Sequence, residues 1–278
     1  MTVRDVLRAA TEYLERKGVD SPRVDAELLL AHALGLSRIQ LYTEHDRPLT
    51  EVERAAARAL VERRGRREPL AYVLGEWGFR RLTLATDARA LVPRPETEVV
   101  VERCLELLKR LEAPRVVDVG TGSGAIALAL AQERPDARVW ATDSSGDALS
   151  LARANAARLG LAVEMRNGDL LAGLEGPFDL VVSNPPYVLA AELDELQPEL
   201  LAEPRAALVD QGQTESLARA ARDVLDGWLV VEVHERRART VAASAEALGY
   251  TEVTISADLA GSERVVEARW QKATSNRR

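Results

Sequence analysis

The alternation of apolar runs and helical segments between residues 115 and 270 restricts the possible folds more than any other feature. The runs are short and rich in valine and leucine, as buried strands are, and the segments between them have helical spacing. Predicted strands cover residues 115–119, 138–141, 161–165, 180–182, 228–233, 252–256 and 264–270, and predicted helices cover 125–131, 148–159, 215–225 and 236–248. Strands that alternate with helices form a mainly parallel sheet covered on both faces. The sequence therefore predicts an α/β fold.

The end of this series departs from the parallel pattern. Residues 257–263 join the last two predicted strands and are too few for a helical crossover. Parallel neighbours need a connection of a dozen or more residues, whereas antiparallel neighbours do not. The last strand is therefore predicted to be antiparallel.

The first part of the chain has helical periodicity and no strand pattern. Ser21 and Pro22 are typical of a helix start, and Thr50 and Glu53 form a capping-box sequence. We therefore predict a small all-α N-terminal bundle over residues 1–74. Residues 75–95 have alternating apolar positions and predict a β-hairpin linker, and residues 96–278 form the predicted α/β domain.

Composition and charge exclude several classes of protein. A chain of 278 residues with 46% hydrophobic residues can build two domains. The formal net charge of -7 argues against the broad basic surface of a duplex-binding protein. One cysteine, Cys104, and three histidines allow neither an internal disulfide nor a recognisable metal site. The sequence has no apolar signal core and no run long enough to span a membrane, so we expect a soluble cytoplasmic protein.

A glycine-rich loop follows the first strand of the α/β series. It consists of Gly120, Thr121, Gly122, Ser123 and Gly124, with Asp118 just before it. Glycines at a strand-to-helix turn let the backbone approach a ligand closely. The spacing differs from the Gly-x-Gly-x-x-Gly of dinucleotide enzymes, and an acidic Asp118 suits a cationic amine better than a pyrophosphate. These residues favour S-adenosylmethionine over NAD.

Two aspartates follow the next two predicted strands. Asp143 suits a carboxylate that accepts the hydroxyls of a ribose, and Asp169 is placed near an adenine edge. The alternatives are that the loop is structural, that Asp143 caps a helix and that Asp169 is a turn residue. A nucleoside-containing ligand is the hypothesis that explains the loop and Asp143 together.

The segment Asn184, Pro185, Pro186 and Tyr187 directly follows a predicted buried strand. Two consecutive prolines fix φ and remove two N–H donors, so the Asn184 and Pro185 carbonyls are free to face a ligand. Asn184 adds an amide, and Tyr187 adds a flat aromatic face. The set suits a planar group that carries an NH2, although Asn-Pro is also a common start of an ordinary turn.

Residues 63–67 form a basic segment, Arg-Arg-Gly-Arg-Arg, at the end of a predicted helix. Cations at this position complement the helix dipole, so a solvated helix end is one interpretation. A docking patch for an acidic partner is the other. The sequence leaves both open.

These motifs carry a family resemblance. Residues 117–129, Asp143 and the Asn-Pro-Pro-Tyr segment resemble class I methyltransferases that modify planar nitrogens. The chain as a whole is similar to the bacterial glutamine N5-methyltransferases of peptide chain release factors. Further segments that resemble this family are 21–30, 69–76, 92–98, 203–208 and 258–266. The resemblance implies a seven-stranded, Rossmann-like class I methyltransferase sheet whose last strand is antiparallel.

The resemblance also implies an activity and a set of site residues. The expected reaction is transfer of the methyl group of S-adenosyl-L-methionine to the glutamine of the Gly-Gly-Gln motif in class I release factors, a protein methylation that tunes translation termination. Catalysis is assigned to Asn184, Pro185 and Tyr187, and substrate binding to these residues and Pro186. The cofactor-binding residues are expected to be Asp118, Gly120, Thr121, Gly122, Ser123, Gly124, Asp143, Asp169, Leu170 and Asn184, with no metal.

The expected partner is a class I release factor that docks on residues 1–74, with no membrane, no direct nucleic acid and a monomeric enzyme. Leu170 departs from the family, in which many members carry an aromatic residue, and residues 211–214 differ from a glycine-rich stretch that is often found there. The alternatives are glutamine methylation of a ribosomal protein, adenine N6-methylation of nucleic acid and a non-catalytic cofactor-binding scaffold.

Overall fold

A computed structural model describes residues 1–272. The chain forms two compact units, one of Met1–Glu76 with Leu196–Ala202, and one of Trp77–Glu195 with the rest of the described chain. Residues 273–278, the end of the predicted third segment, lie outside the described residues. The division at residues 74 and 95 stays a prediction.

The first unit contains five α-helices. They are α1 (Val3–Arg16), α2 (Pro22–Leu34), α3 (Arg38–Thr43), α4 (Glu51–Gly65) and α5 (Leu70–Leu74). The capping box at Thr50 is confirmed, whereas the Ser21 side chain makes no capping hydrogen bond. The sequence did not predict α3 and α5, because helices of six and five residues are too short to repeat an apolar face. Leu14, Leu29 and Leu30 lie in the core of this unit.

Most of the arginines at the end of α4 form ion pairs within this unit. Arg64 is buried and donates to Asp25 at 2.7 Å and to Glu199 at 2.6 Å. Arg67 donates to both carboxylate oxygens of Glu199 at 2.6 and 2.7 Å, and Arg63 donates to Glu68 at 3.0 Å. Three of the four arginines therefore form internal ion pairs, and neither interpretation made from the sequence describes them.

The second unit begins with a hairpin and a helix. Strands β1 (Glu76–Phe79) and β2 (Leu82–Ala85) form the two-stranded sheet, which confirms the predicted hairpin, and α6 (Thr97–Leu108) follows. Buried Asn155 holds β2 against the glycine loop, because its amide bonds to the backbone of Ala85 and donates to the Ser123 carbonyl at 2.9 Å. Because this amide bonds to three backbone groups, it holds the glycine loop in place by contacts within the protein.

The large sheet has seven strands in the order β5-β4-β3-β6-β7-β9-β8. The strands are β3 (Arg115–Val119), β4 (Arg138–Asp143), β5 (Glu164–Asn167), β6 (Phe178–Ser183), β7 (Leu225–Glu232), β8 (Thr251–Ala257) and β9 (Glu263–Trp270). The last strand, β9, is antiparallel to both neighbours, as predicted. The third strand of the α/β series begins later than predicted. The Leu161 N–H donates to the Ala156 carbonyl, so Leu161 still belongs to the C-terminal cap of the preceding helix.

Helices cover both faces of this sheet. They are α6, α7 (Ala125–Glu133) and α8 (Gly146–Leu159), then α9 (Arg205–Leu208), α10 (Gln213–Val224) and α11 (Ala238–Ala247). Successive residues of a strand point to opposite faces, and accordingly Val116 lies in one apolar core with Cys104 while Val117 lies in the other with Leu217. Among residues 1–272, no helix is long and apolar enough to cross a membrane.

Candidate active site

A cavity of about 250 Å³ lies at the carboxyl ends of β3, β4 and β6. All of its lining residues belong to the second unit. Crevices at this edge of a mainly parallel sheet are the usual ligand sites of α/β folds, because the loops between strands and helices open there. The site residues predicted from the sequence that line the cavity are Gly120, Thr121, Gly122, Ser123, Asp143, Asp169, Leu170, Asn184, Pro185 and Pro186.

The glycine loop needs its glycines for two different reasons. Gly120, Gly122 and Gly124 have φ of 71°, 57° and 87°, a region that residues with a Cβ seldom adopt. A Cβ on Gly124 would lie 2.9 Å from Leu128 Cδ1 of the same helix and 3.3 Å from Ala152 Cβ, so Gly124 allows the start of α7 to lie close to α8. A Cβ on Gly120 would meet nothing within 4 Å. Gly120 thus presents bare backbone to the cavity, whereas Gly124 is structural and does not line it.

Asp118 lies beneath this loop and not at the cavity surface. Its Oδ2 accepts from Thr121 Oγ1 at 2.6 Å and from the Ala127 N–H at 3.2 Å. Burial raises the pKa of this carboxyl to about 7, against the lowering effect of the Thr121 and Ala127 hydrogen bonds. Among the described residues, Oδ1 has no hydrogen-bond donor. Asp118 fixes the loop by its own contacts, and the contact with a cationic amine stays a prediction.

Asp143 is held at the cavity rim by backbone donors. Its Oδ2 accepts from the Gly122 N–H at 2.9 Å, and its Oδ1 accepts from the Ser145 N–H at 2.8 Å. Each carboxylate oxygen can accept a further bond, so the group is oriented and still able to receive hydroxyls. Asp169 is exposed beside it, and Leu170, with φ of 49°, adds an aliphatic wall. This donor and acceptor set fits an adenosine-containing cofactor.

The Asn-Pro-Pro-Tyr segment follows β6 at the other side of the cavity. Asn184 Nδ2 donates to Thr97 Oγ1 at 3.0 Å, and Ser183 Oγ donates to the Val119 carbonyl at 2.7 Å, which ties β6 to β3. Tyr187 does not line the cavity. Its ring lies 6.0 Å from the His234 ring between centroids, and burial, followed by the charge of Glu232, raises its pKa.

Glu232, the last residue of β7, was missed by the sequence analysis. It is 2% exposed, and it lies beside the side chains of Thr97 and Asn184. Burial raises its pKa to about 7, which these side chains partly oppose. The available signal was a carboxylate at the end of an apolar strand, Val-Val-Glu-Val. That position alone does not reveal which loop the carboxylate faces.

Comparison with known proteins identifies the family. Residues 5–75 match the PrmC N-terminal domain, and residues 99–260 match the methyltransferase small domain. The chain is 47% identical over 277 residues to the release factor glutamine methyltransferase of Deinococcus radiodurans, covering 97% of this chain and 99% of the relative. The chain belongs to the release factor glutamine methyltransferase family. The Geobacter sulfurreducens family member is 42% identical, with 96% of each chain covered.

A solved methyltransferase structure has a similar fold. The ribosomal protein L11 methylase of Lactobacillus delbrueckii subsp. bulgaricus superimposes with a TM-score of 0.51 at 19% identity. The match covers 69% of this chain and 96% of the other. At this identity the likeness shows the fold alone.

Replacing Asp143 with alanine is expected to weaken S-adenosylmethionine binding by more than about 100-fold, because the two charge-assisted hydrogen bonds that we expect Asp143 to accept from hydroxyls would be lost at about 1.5 to 3 kcal/mol each. Isothermal titration calorimetry measures the Kd. Asp147→Ala is the matched control, since Asp147 is an exposed carboxylate in the first turn of the adjacent α8. An Asp143→Ala enzyme that binds as tightly as this control would contradict the assignment.

Proposed function

We propose that this protein transfers the methyl group of S-adenosyl-L-methionine to the side-chain amide nitrogen of the glutamine in the Gly-Gly-Gln motif of class I release factors. The observation that carries the proposal is the position of Asn184 on the wall of the same cavity as the glycine loop and Asp143. A planar amide and an adenosine-containing cofactor then meet at one sheet edge. Identity of 47% to a release factor glutamine methyltransferase over nearly the whole chain supports the substrate.

Cofactor binding is assigned to the carboxyl ends of β3, β4 and β5. S-adenosylmethionine, when bound, supplies an electrophilic methyl group on a positively charged sulfur. Asp143 would accept hydroxyl hydrogens, and Gly120 would leave room for a close approach of the backbone. Asp169 and Leu170 would border the base, and Leu170 gives an aliphatic contact in place of aromatic stacking.

The substrate amide is a poor nucleophile because its nitrogen lone pair is delocalised into the carbonyl. Asn184 Oδ1 and the Pro185 carbonyl would accept the two hydrogens of the NH2 group and hold the nitrogen in line with the methyl group. Both acceptors also stabilise the positive charge that develops on nitrogen during transfer. Tyr187 is assigned to hold the amide plane by stacking. The methylated nitrogen is acidic, so its proton leaves without a dedicated general base.

Mass spectrometry of an unmodified class I release factor tests this function. The factor is incubated with the enzyme and S-adenosylmethionine, digested, and searched for one added methyl group. A methyl group on the Gly-Gly-Gln glutamine is the expected result. No gain on the release factor, with a gain on a ribosomal protein or on DNA in parallel incubations, would replace the proposed substrate and keep the chemistry.

We also propose that residues 1–74 contribute to docking of the release factor. One glutamine side chain supplies little binding free energy, so contacts away from the reacting group are needed to hold a protein substrate. The first unit exposes large apolar side chains at Ile39 (76%) and Val52 (79%), which a partner can cover. The match of residues 5–75 to the PrmC N-terminal domain supports a role particular to this family.

The double substitution of Ile39 and Val52 by glutamate is expected to raise KM for the intact release factor by about 30-fold, because two apolar contacts of about 1 kcal/mol each are lost. The kcat at saturation should stay close to that of the unmodified enzyme. Leu259→Glu is the control, since Leu259 is fully exposed in the second unit. Unchanged KM in the double variant would argue against docking on these side chains.

A further inference from the structure

Glu232 is a buried carboxylate at the catalytic end of the sheet. It ends β7, which pairs in parallel with β6, and the register places Ser183 beside Val231. Asn184 follows Ser183, and Glu232 follows Val231, so the two lie side by side where both strands end. The side chain is 2% exposed, and among the described residues its Oε2 has no hydrogen-bond donor. A buried carboxylate with an unused oxygen is costly, and such groups need a reason.

The side chains of Glu232, Thr97 and Asn184 are neighbours at this end of the sheet. Thr97 Oγ1 accepts from Asn184 Nδ2 at 3.0 Å, and both side chains lie beside the Glu232 carboxylate. One hydrogen of Nδ2 is therefore directed to Thr97. The acceptor Oδ1 is the end of the Asn184 amide left for another group.

A carboxylate has only acceptor atoms, so any hydrogen bond that it makes with Thr97 has the hydroxyl as its donor. The Thr97 oxygen then accepts from Asn184 Nδ2, as it does at 3.0 Å. A neutral group at residue 232 could donate to Thr97 instead, and Thr97 could then donate to Asn184 Oδ1. The Asn184 amide would turn over and present NH2 to an incoming NH2 group, which provides no acceptor and adds a repulsive contact.

We propose that Glu232 is a positioning residue that, as a carboxylate, fixes the Asn184 amide with Oδ1 facing the substrate nitrogen. The inference rests on the proposed function and goes beyond it, since that function assigns Asn184 without explaining its orientation. If Asn184 Oδ1 holds the substrate nitrogen, the charge of Glu232 also lies one side chain away from the atom that becomes positive during transfer. A fixed negative charge in a water-poor site stabilises that change.

The ionisation of Glu232 depends on several groups around it. Arg264 on β9 favours the carboxylate, and Glu96 before α6 disfavours it. Burial, Glu232 and Glu96 raise the pKa of the nearby Tyr187 phenol more than Arg264 and Arg94 lower it, so this phenol adds no charge beside Glu232. Burial dominates and raises the Glu232 pKa to about 7, so protonation competes with the active arrangement near neutral pH. A bound sulfonium would lower this pKa by its positive charge.

Glu232→Gln tests the inference, because glutamine keeps the shape and replaces an acceptor oxygen by a donor. We expect kcat to fall by about 100-fold, because a small displacement of a reacting group lowers the rate by about this factor. The Kd for S-adenosylmethionine and KM for the release factor should change little. Glu232→Asp keeps an acceptor-only carboxylate and should recover part of kcat.

Glu267→Gln is the matched control. Glu267 is also a buried glutamate that faces α6, but its carboxylate accepts from Arg103 at 2.6 and 3.0 Å and from Ser256 at 2.8 Å. This control should keep its kcat in assays below its unfolding temperature. Full kcat in Glu232→Gln, or an equal loss in both variants, would overturn the positioning role.

The pH profile separates positioning from a purely structural role. In the unmodified enzyme, kcat should decrease as the pH falls below about 7, because protonated Glu232 no longer fixes Asn184. This decrease forms the acid limb of the profile. The residual kcat of Glu232→Gln should lack this limb. An acid limb that persists unchanged in the variant would contradict the inference.

A measurement without substrate keeps the inference testable if the release factor is not the substrate. The side-chain amide resonances of Asn184, assigned by comparison with Asn184→Ala, should shift between pH 8 and 6 in the unmodified protein, a range that contains the Glu232 pKa of about 7. They should not shift in Glu232→Gln. Absence of a pH-dependent shift in the unmodified protein would overturn the inference, whereas absence of methylation would overturn only the proposed function.

Discussion

Replacing Asn184 with alanine is expected to lower kcat by about 100- to 1,000-fold, the usual cost of removing one preorganised hydrogen-bond partner of a transition state. Alanine removes the Oδ1 acceptor proposed to hold the substrate nitrogen, so the nitrogen is neither aligned nor stabilised as it becomes positive. Single-turnover transfer of labelled methyl to a release factor measures this loss. The Kd for S-adenosylmethionine should change much less, since the glycine loop and Asp143 remain.

Gln211→Ala is a suitable control for this experiment. Gln211 also carries a carboxamide in the second unit, but it is exposed and does not line the cavity. Loss of this amide should leave kcat unchanged. If Asn184→Ala transferred methyl as fast as Gln211→Ala, the amide-orienting mechanism would be wrong. A large loss of cofactor affinity in Asn184→Ala would instead assign Asn184 mainly to cofactor binding.

Replacing Arg64 with alanine is expected to lower the free energy of unfolding of the first unit by about 3 to 5 kcal/mol, as loss of one partner from a buried ion pair does. Arg64 lies between Asp25 and Glu199 at 2.7 and 2.6 Å, and the Arg64 and Asp25 side chains are 8% and 9% exposed. Without Arg64, Glu199 keeps its ion pair with Arg67, whereas Asp25 loses its arginine partner. Urea denaturation followed by circular dichroism measures the change.

The pH dependence of this variant has a defined sign. Burial raises the pKa of Asp25, and Arg64 opposes this increase only in part. Loss of Arg64 therefore raises this pKa further. Asp25 then binds a proton in the folded state at a pH where the unfolded chain has lost it. The defect of Arg64→Ala should therefore be largest at neutral pH and become smaller as the pH falls toward the ordinary range of an aspartate.

Arg4→Ala supplies the comparison for this stability measurement. Arg4 pairs with Asp46 in the same unit, but their side chains are 62% and 69% exposed. Exposed pairs contribute little because water solvates both partners. Equal losses of stability in the two variants would show that burial of the Arg64 cluster has no special effect.

The sequence by itself determined the features that depend on neighbouring residues. Apolar runs and helical spacing predicted the α/β alternation, and the short link at residues 257–263 predicted the antiparallel last strand. The glycine loop and the Asn-Pro-Pro-Tyr segment were recognisable because their chemistry lies in consecutive residues. Gly120, Asp143 and Asn184 accordingly line one cavity. Strand ends of a parallel sheet meet at one edge, so this convergence follows from the order of elements.

Only the tertiary structure decided which distant groups are partners. Arg64 was assigned to a basic segment, but its carboxylate partner Glu199 lies 135 positions later in the chain, and no local pattern connects them. Glu232 was one acidic residue at the end of an apolar strand until the parallel pairing of β6 and β7 placed it beside Asn184. Local spacing fixes which residues share a strand or a helix face. Burial and ionisation depend instead on the partners that packing brings from elsewhere in the chain.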